Sequence, residues 1–156
     1  MHHVSIRTAN IHRSLPFYET LGYRVTERFT AGMTLACWME GFGGRLELIE
    51  VPQPVHCPDP FGDEGYVGYY HLSLDVSPDL SSARLGKASG LGDWLTDLGD
   101  RLQAADAGPL KILLSPRQQA IGATIYEVAF IADRDGLPIE LLRELGTNPN
   151  LRDDAP

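Results

Sequence analysis

Two histidines and two glutamates stand out in this chain because each sits in a phrase that is written twice. His3-Val4-Ser5-Ile6 returns as His71-Leu72-Ser73-Leu74, and Leu46-Glu47-Leu48-Ile49 returns as Ile139-Glu140-Leu141-Leu142. Neutral imidazole nitrogen and carboxylate oxygen together suit a divalent Fe, Ni, Co, Zn or Mn ion. Two ligands from each copy would leave coordination positions free for water or substrate, as a catalytic site requires. A lone strand histidine is ordinarily a surface or hydrogen-bonded residue, and a lone strand glutamate a solvated one. Recurrence of both phrases in matching places shifts the reading to one metal site made of His3, Glu47, His71 and Glu140.

Strand alternation explains how such residues would be presented. His3, Ser5 and Arg7 share one face of a strand whose other face carries Val4 and Ile6, and His71, Ser73 and Asp75 repeat that parity against Leu72, Leu74 and Val76. Glu47 and Glu140 are likewise set apart from flanking leucine and isoleucine residues that point into the core. All four candidates therefore face away from the helices that cover the apolar side.

The elements follow the same doubling. After the first strand, Asn10 caps a helix through Ser14, Phe17, Tyr18 and Leu21 that Gly22 ends, and strands follow over 23–29, 34–40 and 45–51. The second copy has strands over 69–76, 110–115, 123–131 and 137–143. Its helix carries Trp94, Leu95, Leu98 and Leu102 at helical spacing, Asp93 is its N-cap, and Asp135-Gly136 makes the last turn. The fold class is α+β, with two βαβββ modules forming a cupped mixed β-sheet and helices outside. The first module takes residues 1–52, a Pro-rich linker 53–66, the second module 67–145 and a polar tail 146–156.

Composition narrows the partners. The 156 residues suffice for one core, and 21 acidic against 13 basic residues give a net charge of -8, which a nucleic-acid backbone would repel. Cys37 and Cys57 form no zinc-knuckle spacing and read as ordinary thiols of a reducing compartment. No apolar run has membrane-spanning length and no signal-peptide pattern opens the chain, so a cytoplasmic protein is expected. Parity assigns His2 to the Val4 face at an exposed chain end, while His12 and His56 read as solvated histidines.

The repeat, His3-Val4-Ser5-Ile6, the segment Ser14-Leu15-Pro16-Phe17-Tyr18-Glu19-Thr20-Leu21-Gly22-Tyr23, and the stretch from Ala129 through Asp133-Arg134-Asp135-Gly136 to Leu141 resemble the vicinal oxygen chelate superfamily over nearly the whole chain. That superfamily includes glyoxalase I, methylmalonyl-CoA epimerase, extradiol dioxygenases and the fosfomycin and bleomycin resistance proteins. The resemblance to bacterial glyoxalase I implies the same ligands, His3, Glu47, His71 and Glu140, and matches Arg7 to an arginine that meets a glutathione carboxylate. Glu47 here leads into Leu48-Ile49-Glu50-Val51-Pro52, where glyoxalase I has a polar segment with an asparagine. Extradiol dioxygenases would use His3, His71 and Glu140, but carry a tyrosine shortly before the final glutamate, where this chain has Phe130 and Ile131.

The leading expectation is a metal-dependent lyase, isomerase or epimerase of glyoxalase I-like type. It would chelate two vicinal oxygens of a small molecule and move a proton alpha to a carbonyl, with Glu140 as general base and Glu47 as the opposing carboxylate. Fe(II)-dependent extradiol cleavage and sequestration of a drug or metabolite are the alternatives. Neither membrane nor nucleic acid is an expected partner, and an isologous homodimer is the default assembly.

Overall fold

The structure, a computed structural model, describes residues 1–55, 58–81 and 90–149. The readings of His56 and Cys57, residues 82–89 and the tail beyond residue 149 lie outside them. The first module runs β1 (Val4–Thr8), α1 (Ile11–Leu21), β2 (Arg24–Ala31), β3 (Thr34–Gly41) and β4 (Gly44–Glu50). The second runs β5 (Leu72–Asp75), α2 (Ser77–Ser81), α3 (Leu91–Ala104), β6 (Lys111–Ile121), β7 (Thr124–Ala132) and β8 (Pro138–Thr147).

Each module makes a four-stranded mixed sheet, ordered β1-β4-β3-β2 and β5-β8-β7-β6. The first strand of each pairs in parallel with the last, and the remaining pairs are antiparallel. Parallel pairing of β1 with β4 needs a crossover, and α1, β2 and β3 supply it. The doubled phrases thus fall on doubled topology.

Local chemistry sets the helices. The Asn10 side chain accepts from the Arg13 amide at 3.0 Å, and Gly22 leaves α1 at φ 135°, a conformation that a side chain disfavours. Ile11, Ser14, Phe17, Tyr18 and Leu21 form the buried stripe of α1, and Leu91, Trp94, Leu95, Leu98 and Leu102 that of α3. Asp93 does not cap α3. The helix opens one residue after Gly90, which has no side chain to cap with, and Glu127 of β7 accepts from the Leu91 amide at 3.0 Å while pairing with Arg143 at 3.2 Å. A Cβ at Gly90 would stand 2.9 Å from that carboxylate, so the absent side chain makes room for the substitute cap.

Several boundaries depart from expectation, among them the start of β5 at Leu72 rather than at residue 69, which leaves His71 just before the strand. Helix α2 interrupts the segment after β5, with the Asp75 carboxylate accepting from the Ser77 amide at 2.9 Å. Strand β6 runs on to Ile121 across two register shifts, and β8 takes in Gly146 and Thr147. Polar composition favoured a tail from residue 146, but cross-strand backbone pairing with β7 extends both strands.

One apolar cluster runs through both modules, from Leu46 and Leu48 through Phe17, Leu21 and Trp94 to Ile131 and Leu141, and α1 packs on α3. A polar clasp completes this joint. Tyr18 donates to Asp133 at 2.9 Å, and Asp135 accepts from Thr8 at 2.6 Å and Arg13 at 2.7 Å. Among the described residues no helix is long and apolar enough to cross a membrane.

Candidate functional site

Register fixes what lies beside each glutamate. Ser5 on β1 is the partner of Glu47 on β4, whose neighbour on β3 is Trp38. Ser73 on β5 is the partner of Glu140 on β8, whose neighbour on β7 is Phe130. Cross-strand partners share a face, so each module presents serine, glutamate and an aromatic ring in one row, opposite the helix-covered side.

Each histidine reaches its own module's carboxylate. His3 Nε2 lies 3.5 Å from Glu47 Oε2, and His71 Nε2 lies 3.2 Å from Glu140 Oε2. Both carboxylate side chains are largely shielded, at 14% and 13% exposure, while the imidazoles are more open at 31% and 25%. Aromatic rings hold the imidazoles edge-on. Trp38 stands 4.7 Å from His3, and Phe130 and Tyr70 stand 5.2 and 4.5 Å from His71, between ring centres.

The pairs differ in what surrounds them. Ser73 donates to Glu140 Oε2 at 2.7 Å, whereas Ser5 makes no such bond to Glu47 among the described residues. His71 Nδ1 is buried with no hydrogen-bond partner among the described residues, whereas His3 Nδ1 lies 2.9 Å from His2 Nδ1. His2 is exposed, as expected, but its ring lies 5.7 Å from Trp38, over the row that carries His3 rather than on the Val4 face. Regular alternation begins only at Val4, so parity does not bind the residue two places before it.

Within one chain the quartet stands as two pairs. Among the described residues, no three His, Cys, Asp or Glu side chains converge as ion ligands. A cleft of about 1330 Å³ between the modules is lined by His3, Arg7 and His71 but by neither glutamate. Arg7 is exposed there, with no ion-pair partner among the described residues. His12 is exposed beside a smaller hollow that it shares with Arg13 and Arg134.

Nitrogen and carboxylate donors already gathered in pairs, one imidazole with an unpartnered ring nitrogen, fit a divalent first-row ion. Cys37, on the opposite face of β3, is buried, and burial pushes its thiol pKa up, away from reactivity. Trp38 went unnoticed in the sequence, and Phe130 was noted only as standing where a tyrosine is absent. The signal was present in the aromatic that precedes each glutamate by a similar interval.

A family model for the Glyoxalase/Bleomycin resistance protein/Dioxygenase superfamily matches residues 1–141. The chain belongs to that superfamily. Solved structures agree on the fold. A glyoxalase family protein from Enterococcus faecalis superposes with TM-score 0.61 at 19% identity, covering 91% of this chain and 95% of that one. A glyoxalase family protein from Bacillus cereus gives TM-score 0.61 at 17% identity, with 94% of each chain covered. A glyoxalase/bleomycin resistance protein/dioxygenase from Alicyclobacillus acidocaldarius gives TM-score 0.54 at 12% identity, covering 92% and 89%. Comparison with proteins of curated function returns no match.

Proposed function

We propose that the protein is a metal-dependent lyase, isomerase or epimerase of glyoxalase I-like type, acting on a small molecule through two neighbouring oxygens. The observation that carries this reading is the repeat-equivalent placement of His3 with Glu47 and of His71 with Glu140, each pair beside an aromatic ring. His3, Glu47, His71 and Glu140 would hold the ion, and because the two pairs stand apart in one chain, a homodimer would join one pair from each copy. A divalent ion held there supplies Lewis-acid stabilisation for charge developing on the substrate oxygens.

The chain's own residues would do the rest. Glu140, shielded from water and with Oε1 free of a hydrogen-bond partner among the described residues, takes the proton from the carbon beside the carbonyl. Glu47, its equivalent in the other module, faces the substrate from the opposite side and returns the proton. Arg7, a cation with no ion-pair partner among the described residues, would meet an anionic group of the substrate. Phe130 stands across from Glu140 and carries no hydroxyl, which weighs against the ring-cleaving alternative.

Glu140→Gln tests the assignment. With methylglyoxal hemithioacetals, acyl-CoA epimers and catechols as substrates, the variant should fold as the parent does and lose at least about a hundredfold in turnover. Unchanged turnover would remove Glu140 from the chemistry. The aromatic rows beside both pairs favour a second reading, sequestration of a flat molecule. Ligand binding that is indifferent to added metal would support it.

A further inference from the structure

We propose that Ser73 is a positioning residue that fixes the Glu140 carboxylate for metal binding; this rests on the metal-site reading above. Its hydroxyl donates to Glu140 Oε2 at 2.7 Å, and His71 Nε2 lies 3.2 Å from the same oxygen. Two groups on Oε2 leave Oε1 as the oxygen not engaged by the described residues. A glutamate has three rotatable bonds between backbone and carboxylate oxygens, so a hydroxyl from the neighbouring strand selects one orientation before a ligand arrives.

The repeat contains its own control. Ser5 occupies the same register opposite Glu47, yet among the described residues it makes no hydrogen bond to that carboxylate. Equivalent serines therefore do different work. In the second module the carboxylate is held by a neighbour, and in the first, among the described residues, it is held only by His3 at 3.5 Å. The two glutamates thereby enter the site with unequal freedom, Glu140 fixed and Glu47 adjustable.

The test is Co(II) titration of the full-length protein, followed by calorimetry and by the visible d–d absorption of the bound ion. Parent, Ser73→Ala, Ser73→Thr, Ser5→Ala and Glu140→Gln are compared. Ser73→Ala should weaken Co(II) binding by about tenfold or more and shift the absorption band. Ser73→Thr, which keeps the hydroxyl, should restore affinity to within about threefold, and Ser5→Ala should leave it within about twofold. If Glu140→Gln impairs binding while Ser73→Ala matches the parent, the positioning role is wrong and the metal site stands. Equal losses in Ser5→Ala and Ser73→Ala would also overturn it. A parent protein that takes up no Co(II) would overturn the metal site and the positioning role together.

Discussion

The Tyr18 hydroxyl of the first module donates a 2.9 Å hydrogen bond to the buried Asp133 carboxylate of the second. Asp133 also accepts from the amides of Asp135 and Leu137 at 2.9 and 2.8 Å, so one side chain both shapes the β7–β8 turn and ties it to α1. Removing the hydroxyl leaves a buried acceptor short of a partner. Tyr18→Phe should lose about 1–3 kcal/mol in urea unfolding. A change below about 0.5 kcal/mol would show that this hydrogen bond adds nothing to the joint.

The same contact has a pH signature. Burial, partly offset by the hydrogen bonds it accepts, raises the Asp133 pKa above the usual aspartate range. A carboxyl whose folded pKa is raised contributes stability that is full below its unfolded pKa, about 3.9, and is lost as pH rises through the folded value. Asp133→Asn should abolish that decline. Unfolding free energies of parent and variant measured from pH 3 to 7 should therefore diverge, and parallel curves would contradict the assignment.

Trp38 offers an optical report on the first half of the site. The chain has two tryptophans; Trp94 is fully buried in the core, while Trp38 is half-buried with its ring 4.7 Å from His3. A paramagnetic Co(II) or Ni(II) ion taken up at His3 should quench the Trp38 part of the emission. Trp38→Phe should abolish the response without abolishing metal uptake. A response that survives in Trp38→Phe would place the ion elsewhere.

How the halves meet is open to a mixing experiment. His3→Ala and His71→Ala chains, each inactive alone, would form mixed dimers in which one of two sites draws both histidines from intact modules. With half of the dimers mixed and half of their sites restored, activity should return to about a quarter of the parent's. No recovery after co-refolding would place both pairs of a working site in a single chain.

Much of this was legible in the sequence because the repeat and strand parity are local signals. The βαβββ order, the Asn10 cap, the Gly22 stop and the segregation of Glu47 and Glu140 from the core face all follow from alternation and turn chemistry. What escaped depends on contacts distant in sequence. The cap of α3 comes from Glu127, so no nearby residue could announce it. His2 escaped because it precedes regular strand geometry, and the clasp of Tyr18 and Asp133 joins residues whose meeting depends on how the modules dock.

The most direct measurement is the metal content of protein purified without chelator, taken for the parent and for His3→Ala, Glu47→Ala, His71→Ala and Glu140→Ala. One divalent ion per chain in the parent, lost or bound at least about tenfold more weakly in every variant, is the expected result. A parent that binds no ion after incubation with Ni(II), Co(II), Zn(II), Mn(II) or Fe(II), or variants from one module that keep full affinity, would contradict a site built from both.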